Sequence, residues 1–403
     1  FLIVFGKGLL SYRIVGAVLM MVTVSTFYCL CVGISKNKTL AFVSTSFVFA
    51  MHFYLWMYNY NYLTILLVLL TMILFQKDLT NGKLIAFIFG LLPLIKQSTG
   101  AILLAGFYII CVIEIFIEKK TKKDICLNCL IAILPTLLYV LYLFLSGTFA
   151  DFWEYAVLGI GQFSHRTSYF TLMFSNPFMF VIALIPWLLY GMAIYDFFKN
   201  GYDGKKIKCY IISLASMSIA YPLCDTYHFC SALIPAIPIL FMTLKFTDIK
   251  RNSAIACNLI ATFIIFFSVL NSVVDSREYN LSYLKNYEGI PLANTMQDRI
   301  CTVDEYITTK SKEGYKVYIA DESAAAYTIP LDEYNKNWDM LLVGNLGLNS
   351  IEDMTATTEP CLYLVMHDES SLGMQAHYEL INYIKENYNL VGEVLYFDVY
   401  EKD

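Results

Sequence analysis

Long apolar runs separated by short polar turns occupy residues 14 to 274. A membrane-crossing helix needs about 20 apolar residues, and shorter runs serve where helices are broken or buried in protein. About ten stretches meet that description: 14–34, 39–57, 61–75, 84–95, 101–117, 125–145, 176–198, 209–221, 229–244 and 254–274. After 275 the rhythm changes. A helical pattern over 294–312 leads into the strand KVYIAD (316–321), then MLLVG (340–344), a short helix near Ser350, CLYLVM (361–366), a helix over 376–386 and a last alternating strand ending at Tyr400. Strands separated by helices predict a small, mainly parallel sheet. The expected fold is a polytopic α-helical membrane protein, with a membrane domain over 1–274 and an α/β domain over 275–403.

Composition agrees with this pattern. Hydrophobic residues make up 58% of the 403 positions and charged residues 15%, so a bilayer is the expected main solvent. The net charge of −5 hides an asymmetry: lysines collect in the short loops and acids after Asp275. No nucleic-acid surface is implied. Lys36 and Lys38, Lys77 and Lys83, Lys119 to Lys123, Lys199 to Lys208, and Lys245 to Arg251 all fall on one side of the alternating spans. The positive-inside rule makes that side cytoplasmic. The other side receives Lys7 and Arg13, the turn Tyr58-Asn59-Tyr60-Asn61-Tyr62, Lys96, the loop 147–175, the stretch 221–228 and everything after Asp275. The C-terminal domain is therefore expected outside a cytoplasmic (inner) membrane. The chain opens on FLIVFG without an initiator Met, basic leader or cleavage motif, which reads as a truncation.

Of eleven cysteines, Cys29, Cys31, Cys111, Cys209, Cys230 and Cys257 lie in apolar runs, where a thiol behaves as a small hydrophobe. Cys126 and Cys129 form a lone CxxC with no second pair, a poor metal site. Cys301 and Cys361 are able to pair if their domain lies outside the cytosol.

Ionisable groups at membrane depth are expensive and mark candidate sites. Lys96 stands in PLIKQSTG, where one short apolar run ends and another begins. Beside freed backbone groups its ammonium suits a phosphate, and the alternative is a lysine snorkelling to the interface. In Tyr221-Pro222-Leu223-Cys224-Asp225-Thr226-Tyr227-His228, Asp225 and His228 are three apart, so one helical turn sets carboxylate beside imidazole. That pair suits sharing a proton, a divalent cation or a substrate hydroxyl, or serves as an interfacial cap. His165 and Arg166 sit in an aromatic loop that suits either an amphipathic segment on the bilayer or a grip on lipid phosphate. The Tyr-Asn repeat at 58–62 reads as an aromatic belt or a sugar-binding surface. Gly344-Asn345-Leu346-Gly347 follows a strand but matches neither nucleotide-binding glycine motif, so a turn is the better reading. Asn280-Leu281-Ser282 has the form of an N-glycosylation acceptor.

Taken together, YPxxDxxH at 221–228, the IKQSTG break at Lys96, the opening GKGLLSYRI and the tail with KVYIAD, LLVGNLG and FDVYEK resemble bacterial membrane glycosyltransferases of the C-type fold. That superfamily includes protein mannosyltransferases and the enzyme adding aminoarabinose to lipid A. The resemblance covers the whole chain. It implies sugar transfer from a polyprenyl-phosphate donor to a lipid, glycan or protein acceptor at the outer face. Catalytic roles fall on Asp225 and His228, and donor binding on Lys96, Gln97, His165, Arg166 and Tyr221. The family's acidic general base lies in its first outer loop, represented here only by 1–11, and is expected upstream. A transporter or flippase of a lipid-linked glycan is the competing expectation; against it stand the lack of an internal repeat and the gathering of charges at one face.

Overall fold

A computed structural model describes residues 8–52, 59–77, 82–159, 168–175, 177–244, 279–321, 324–331, 351–367 and 377–402, with isolated positions between. The chain divides into two compact units. The helical unit comprises 13–149 and 167–275; the other takes in 1–12, 150–166 and 276–403.

In chain order the helices are α1 (Leu9–Ser35), α2 (Lys38–His52), α3 (Tyr60–Gln76), α4 (Gly82–Ile95), α5 (Gln97–Phe116), α6 (Lys122–Leu145), α7 (Tyr169–Met173), α8 (Pro177–Asn200), α9 (Gly204–Ser216), α10 (Thr226–Leu233) and α11 (Ile237–Thr243). Each of the first nine sequence-predicted spans has a helix in its place, whereas 254–274 lies largely outside the described residues. Among the described residues, five helical stretches are long and apolar enough to cross a membrane: Leu9–Ser35, Gln97–Phe116, Lys122–Leu145, Met179–Asn200 and Thr226–Thr243. Their exposed faces are apolar, as on Ile109, Leu130, Leu141, Trp187 and Phe198. A surface of this kind suits lipid contact. In the loop predicted over 147–175, a helical turn Phe149–Phe152 continues into a π-helical turn Trp153–Leu158.

Two glycines set the closest packing. A Cβ on Gly100 of α5 would overlap the Leu92 carbonyl and Pro93 nitrogen of α4, and one on Gly90 would meet Ala132 and Pro135 of α6. Side chains at either position would drive the helices apart. Phe89 and Phe107 stack between α4 and α5 with centroids 5.0 Å apart. The core around them includes Phe27, Ile65, Leu69, Met72, Leu103 and Ile212.

In the second unit, β1 (Tyr279–Leu281) pairs antiparallel with β2 (Pro291–Ala293). α12 (Asn294–Lys312) then leads to β3 (Lys316–Ile319), α13 (Ala325–Thr328), α14 (Ile351–Thr355), β4 (Cys361–Met366), α15 (Tyr378–Asn387), β5 (Asn389–Val394) and β6 (Phe397–Glu401). The four-stranded sheet has the order β3-β4-β6-β5. Among the described strands only β3 and β4 are parallel; β4 with β6 and β6 with β5 are antiparallel, which corrects the expectation of a mainly parallel sheet for this part of the chain. The reason is local. The segment read as one last strand folds back at Leu395, whose φ of 54° makes the turn, so β5 and β6 form a hairpin. Central β4 is buried on both faces: Leu362 and Leu364 join Ile300, Val303 and Phe397, while Tyr363 and Val365 join Trp338, Ile381 and Ile384. Cys301 and Cys361 belong to separate clusters and are free thiols. The predicted strand 340–344 and the Gly344–Gly347 motif fall almost entirely outside the described residues.

Candidate functional site

Three segments that were separately conspicuous in the sequence meet inside the helical unit. α4 ends at Ile95 and α5 starts at Gln97, leaving Lys96 between them in an extended conformation, φ −141° and ψ 105°. The break aims the Lys96 side chain inward, where the residue is only 6% exposed. Its Nζ donates to Asn61 Oδ1 at 3.0 Å and to the Ile219 carbonyl at 2.8 Å. The Tyr60 ring lies 5.7 Å from the same ammonium, within cation–π range. A buried ammonium requires such partners, since an uncompensated charge in low dielectric is strongly unfavourable.

Local structure supplies each acceptor. Asn59 caps α3 by accepting from the Asn61 N–H, which places Asn61 in the first turn with its side chain fully buried. On the other side α9 tightens into a 3₁₀ turn, Met217–Ala220, before Tyr221 and Pro222 stop the helix. Carbonyls at such an end need partners. Ile219 finds Lys96, and Ser218 accepts from Thr99 Oγ1 at 3.1 Å.

The chain re-enters helix at Asp225, whose carboxylate is the N-cap of α10 and accepts from the His228 N–H at 2.8 Å. The same carboxylate lies 2.9 Å from His228 Nδ1 through each oxygen. An ionised carboxylate only accepts, so Nδ1 carries the proton of this bond and Nε2 stays outside it. Burial disfavours the Asp225 charge, yet the hydrogen bonds from His228 outweigh it and hold the carboxyl below its ordinary range. The pair is partly open, with side-chain exposures of 19% for His228 and 32% for Asp225. Tyr227 meets the His228 ring edge to face at 5.0 Å. The Tyr227 hydroxyl and Asn61 Nδ2 are buried, and the side chains of Asn61 and Ser231 act on the Tyr227 hydroxyl.

Lys96, Asp225 and His228 lie in one neighbourhood, where the Asp225 charge acts on Lys96 through space. Gln97 and Tyr221 have exposed side chains outside this hydrogen-bond network. His165 and Arg166 lie outside the described residues. Asn61 and Tyr227 join the site without having been singled out for chemistry; the Tyr-Asn repeat was the only signal for Asn61. For a divalent cation, Asp225 and His228 offer two donors. Among the described residues no third His, Cys, Asp or Glu completes a metal-holding group, so a cation here would draw on water or substrate oxygens.

The arrangement combines a buried, fixed ammonium, an imidazole oriented by a carboxylate, and the buried amide of Asn61 and hydroxyl of Tyr227. Such a set binds and stabilises an oxyanion. No protein-family model, curated protein or solved structure matches the chain.

Proposed function

We propose that this protein is a membrane glycosyltransferase that takes a sugar from a polyprenyl-phosphate donor and attaches it to a lipid, glycan or protein acceptor at the outer face of the cytoplasmic membrane. The observation that carries this reading is the convergence of Lys96, Asn61, Tyr227, Asp225 and His228 on one buried polar cluster at the ends of apolar helices. Ionisable groups at such depth mark functional sites. In the reaction, the acceptor hydroxyl loses its proton to a carboxylate acting as general base as its oxygen bonds to the anomeric carbon. The bond from that carbon to the lipid phosphate breaks, and the phosphate leaves with the electron pair. Lys96 meets the charge growing on the departing phosphate, joined by Nε2–H of the His228 imidazolium, which the Asp225 carboxylate stabilises and orients. The domain over 275–403 serves as an extracytoplasmic accessory or acceptor-recognition unit.

The competing reading is a flippase of a lipid-linked glycan. In its favour stands the break between short α4 and α5 at Lys96, since transporters place interrupted helices at their substrate sites. Transfer of radiolabelled sugar from a panel of polyprenyl-phosphate donors decides between them, using membranes that carry the protein or its Asp225→Asn and His228→Ala variants. Transfer that collapses in the variants supports the transferase. Donor movement across vesicles without transfer selects the flippase.

A further inference from the structure

α5 is 20 residues long, so its far end stands about 30 Å from Lys96. There Lys208 Nζ donates to Glu114 Oε1 at 2.7 Å and to Glu118 Oε2 at 2.9 Å. Lys120 Nζ donates to the same Glu114 oxygen at 2.6 Å, and the Tyr202 hydroxyl to Glu118 Oε1 at 2.9 Å. The Lys208 side chain is 10% exposed. Of these, Glu114, Glu118, Lys120 and Lys208 form the floor of a cavity of about 1110 Å³ between the starts of α4, α6 and α9. Glycines make room for it: a Cβ on Gly204 would run into Glu118, and one on Gly82 into Asn128.

Leu74, Phe75, Ile85 and Leu127 give the cavity an apolar wall. Its carboxylates are largely committed, Glu114 and Glu118 to the two lysines of the floor, and Asp203 as the cap accepting from the Lys205 and Lys206 N–H groups. Lys83 and Lys119 also line the cavity, are exposed, and make no ion pair among the described residues. Apolar surface joined to uncommitted ammoniums, between helices at their lysine-rich ends, is the chemistry that holds an anionic headgroup.

We propose that this cavity is a phosphate-binding site, sized and walled for the headgroup of an anionic phospholipid, in which Lys83 and Lys119 contact the phosphate oxygens. The floor network ties the end of α5 to the start of α9 and leaves these two lysines as the contacts. The assignment is independent of the chemistry at Lys96.

Native mass spectrometry of the full-length protein, delipidated and then titrated with phosphatidylglycerol or with phosphatidylcholine, tests it. Retention of phosphatidylglycerol over phosphatidylcholine is expected, weakened about thirtyfold in the Lys83→Gln/Lys119→Gln double variant. The Lys83→Arg/Lys119→Arg variant, which keeps both charges, and Lys199→Gln, outside the cavity, should both bind as the parent does. A parallel arm follows the melting temperature with inorganic phosphate. Protection by phosphate that the double variant abolishes, without lipid retention, keeps the phosphate site and assigns it a soluble ligand. Equal retention of both lipids, or equal binding by parent and double variant in both arms, overturns the proposal. Because Lys83 and Lys119 are exposed, a matching melting curve for the double variant shows that it folds.

Discussion

Lys96 Nζ sits 3.0 Å from Asn61 Oδ1, so a single hydrogen bond ties the break between α4 and α5 to the first turn of α3. A hydrogen bond to a buried charge contributes about 1.5–3 kcal/mol, and its loss leaves the ammonium short of an acceptor. Asn61→Leu is therefore expected to destabilise the protein by about 2 kcal/mol. Asn61→Asp, which keeps an acceptor oxygen, should lose less. Denaturant unfolding of the detergent-solubilised protein measures both, and equal losses would show that Lys96 does not depend on this oxygen.

Asp225 has two roles that substitution separates. Asparagine is as good an N-cap as aspartate but carries no charge to orient His228, whereas alanine removes both functions. Asp225→Asn should melt close to the parent yet, on the proposed function, lose about 100-fold or more in sugar transfer. Asp225→Ala should lose about 1 kcal/mol of stability in addition. A fully active Asp225→Asn enzyme would reduce the residue to a helix cap.

Gly100 offers a test of packing at the site. Because an added Cβ would meet backbone atoms of Leu92 and Pro93, Gly100→Ala should cost about 1–3 kcal/mol. Gly33 of α1 has open space around its Cβ position, so Gly33→Ala should be neutral or slightly stabilising through helix propensity. Thermal shifts of similar size for the two variants would contradict the close approach of α4 and α5.

Acidification should loosen the helix ends around Glu118. Burial works to raise the pKa of this carboxyl, but hydrogen bonds from Lys208 and Tyr202 and the charges of Lys208 and Lys120 overcome it, so Glu118 ionises below its ordinary range. A carboxyl depressed on folding stabilises the folded state above its unfolded pKa, about 4.3 for glutamate, and that contribution disappears as pH falls through the lower folded value. The melting temperature should therefore drop below about pH 4.3, less steeply in Glu118→Gln. Parallel pH profiles for parent and variant would remove Glu118 from the acid-sensitive network.

Much of the architecture was legible because its determinants are local. The helix predicted over 294–312 spans Asn294–Lys312, and the apolar run CLYLVM is β4 with the boundaries read from sequence. The β5–β6 hairpin was hidden because its turn uses Leu395 in the left-handed region, without the Gly or Asn that ordinarily announces one. Lys96, Asp225 and His228 stood out because charge at membrane depth is conspicuous at any single position. Asn61 did not, since an amide between two tyrosines also fits an interfacial belt.

The sequence by itself determined where apolar helices begin and end, which groups carry charge into them, and that Asp225 and His228 share a helical turn. Periodicity, capping and solvation act within a few residues. Only the tertiary structure decided that Lys96 meets Asn61, 35 residues away, and the Ile219 carbonyl, 123 residues away. Those contacts depend on how α3, α5 and the end of α9 pack, and packing is set by the shapes of whole helices, down to the missing side chain of Gly100.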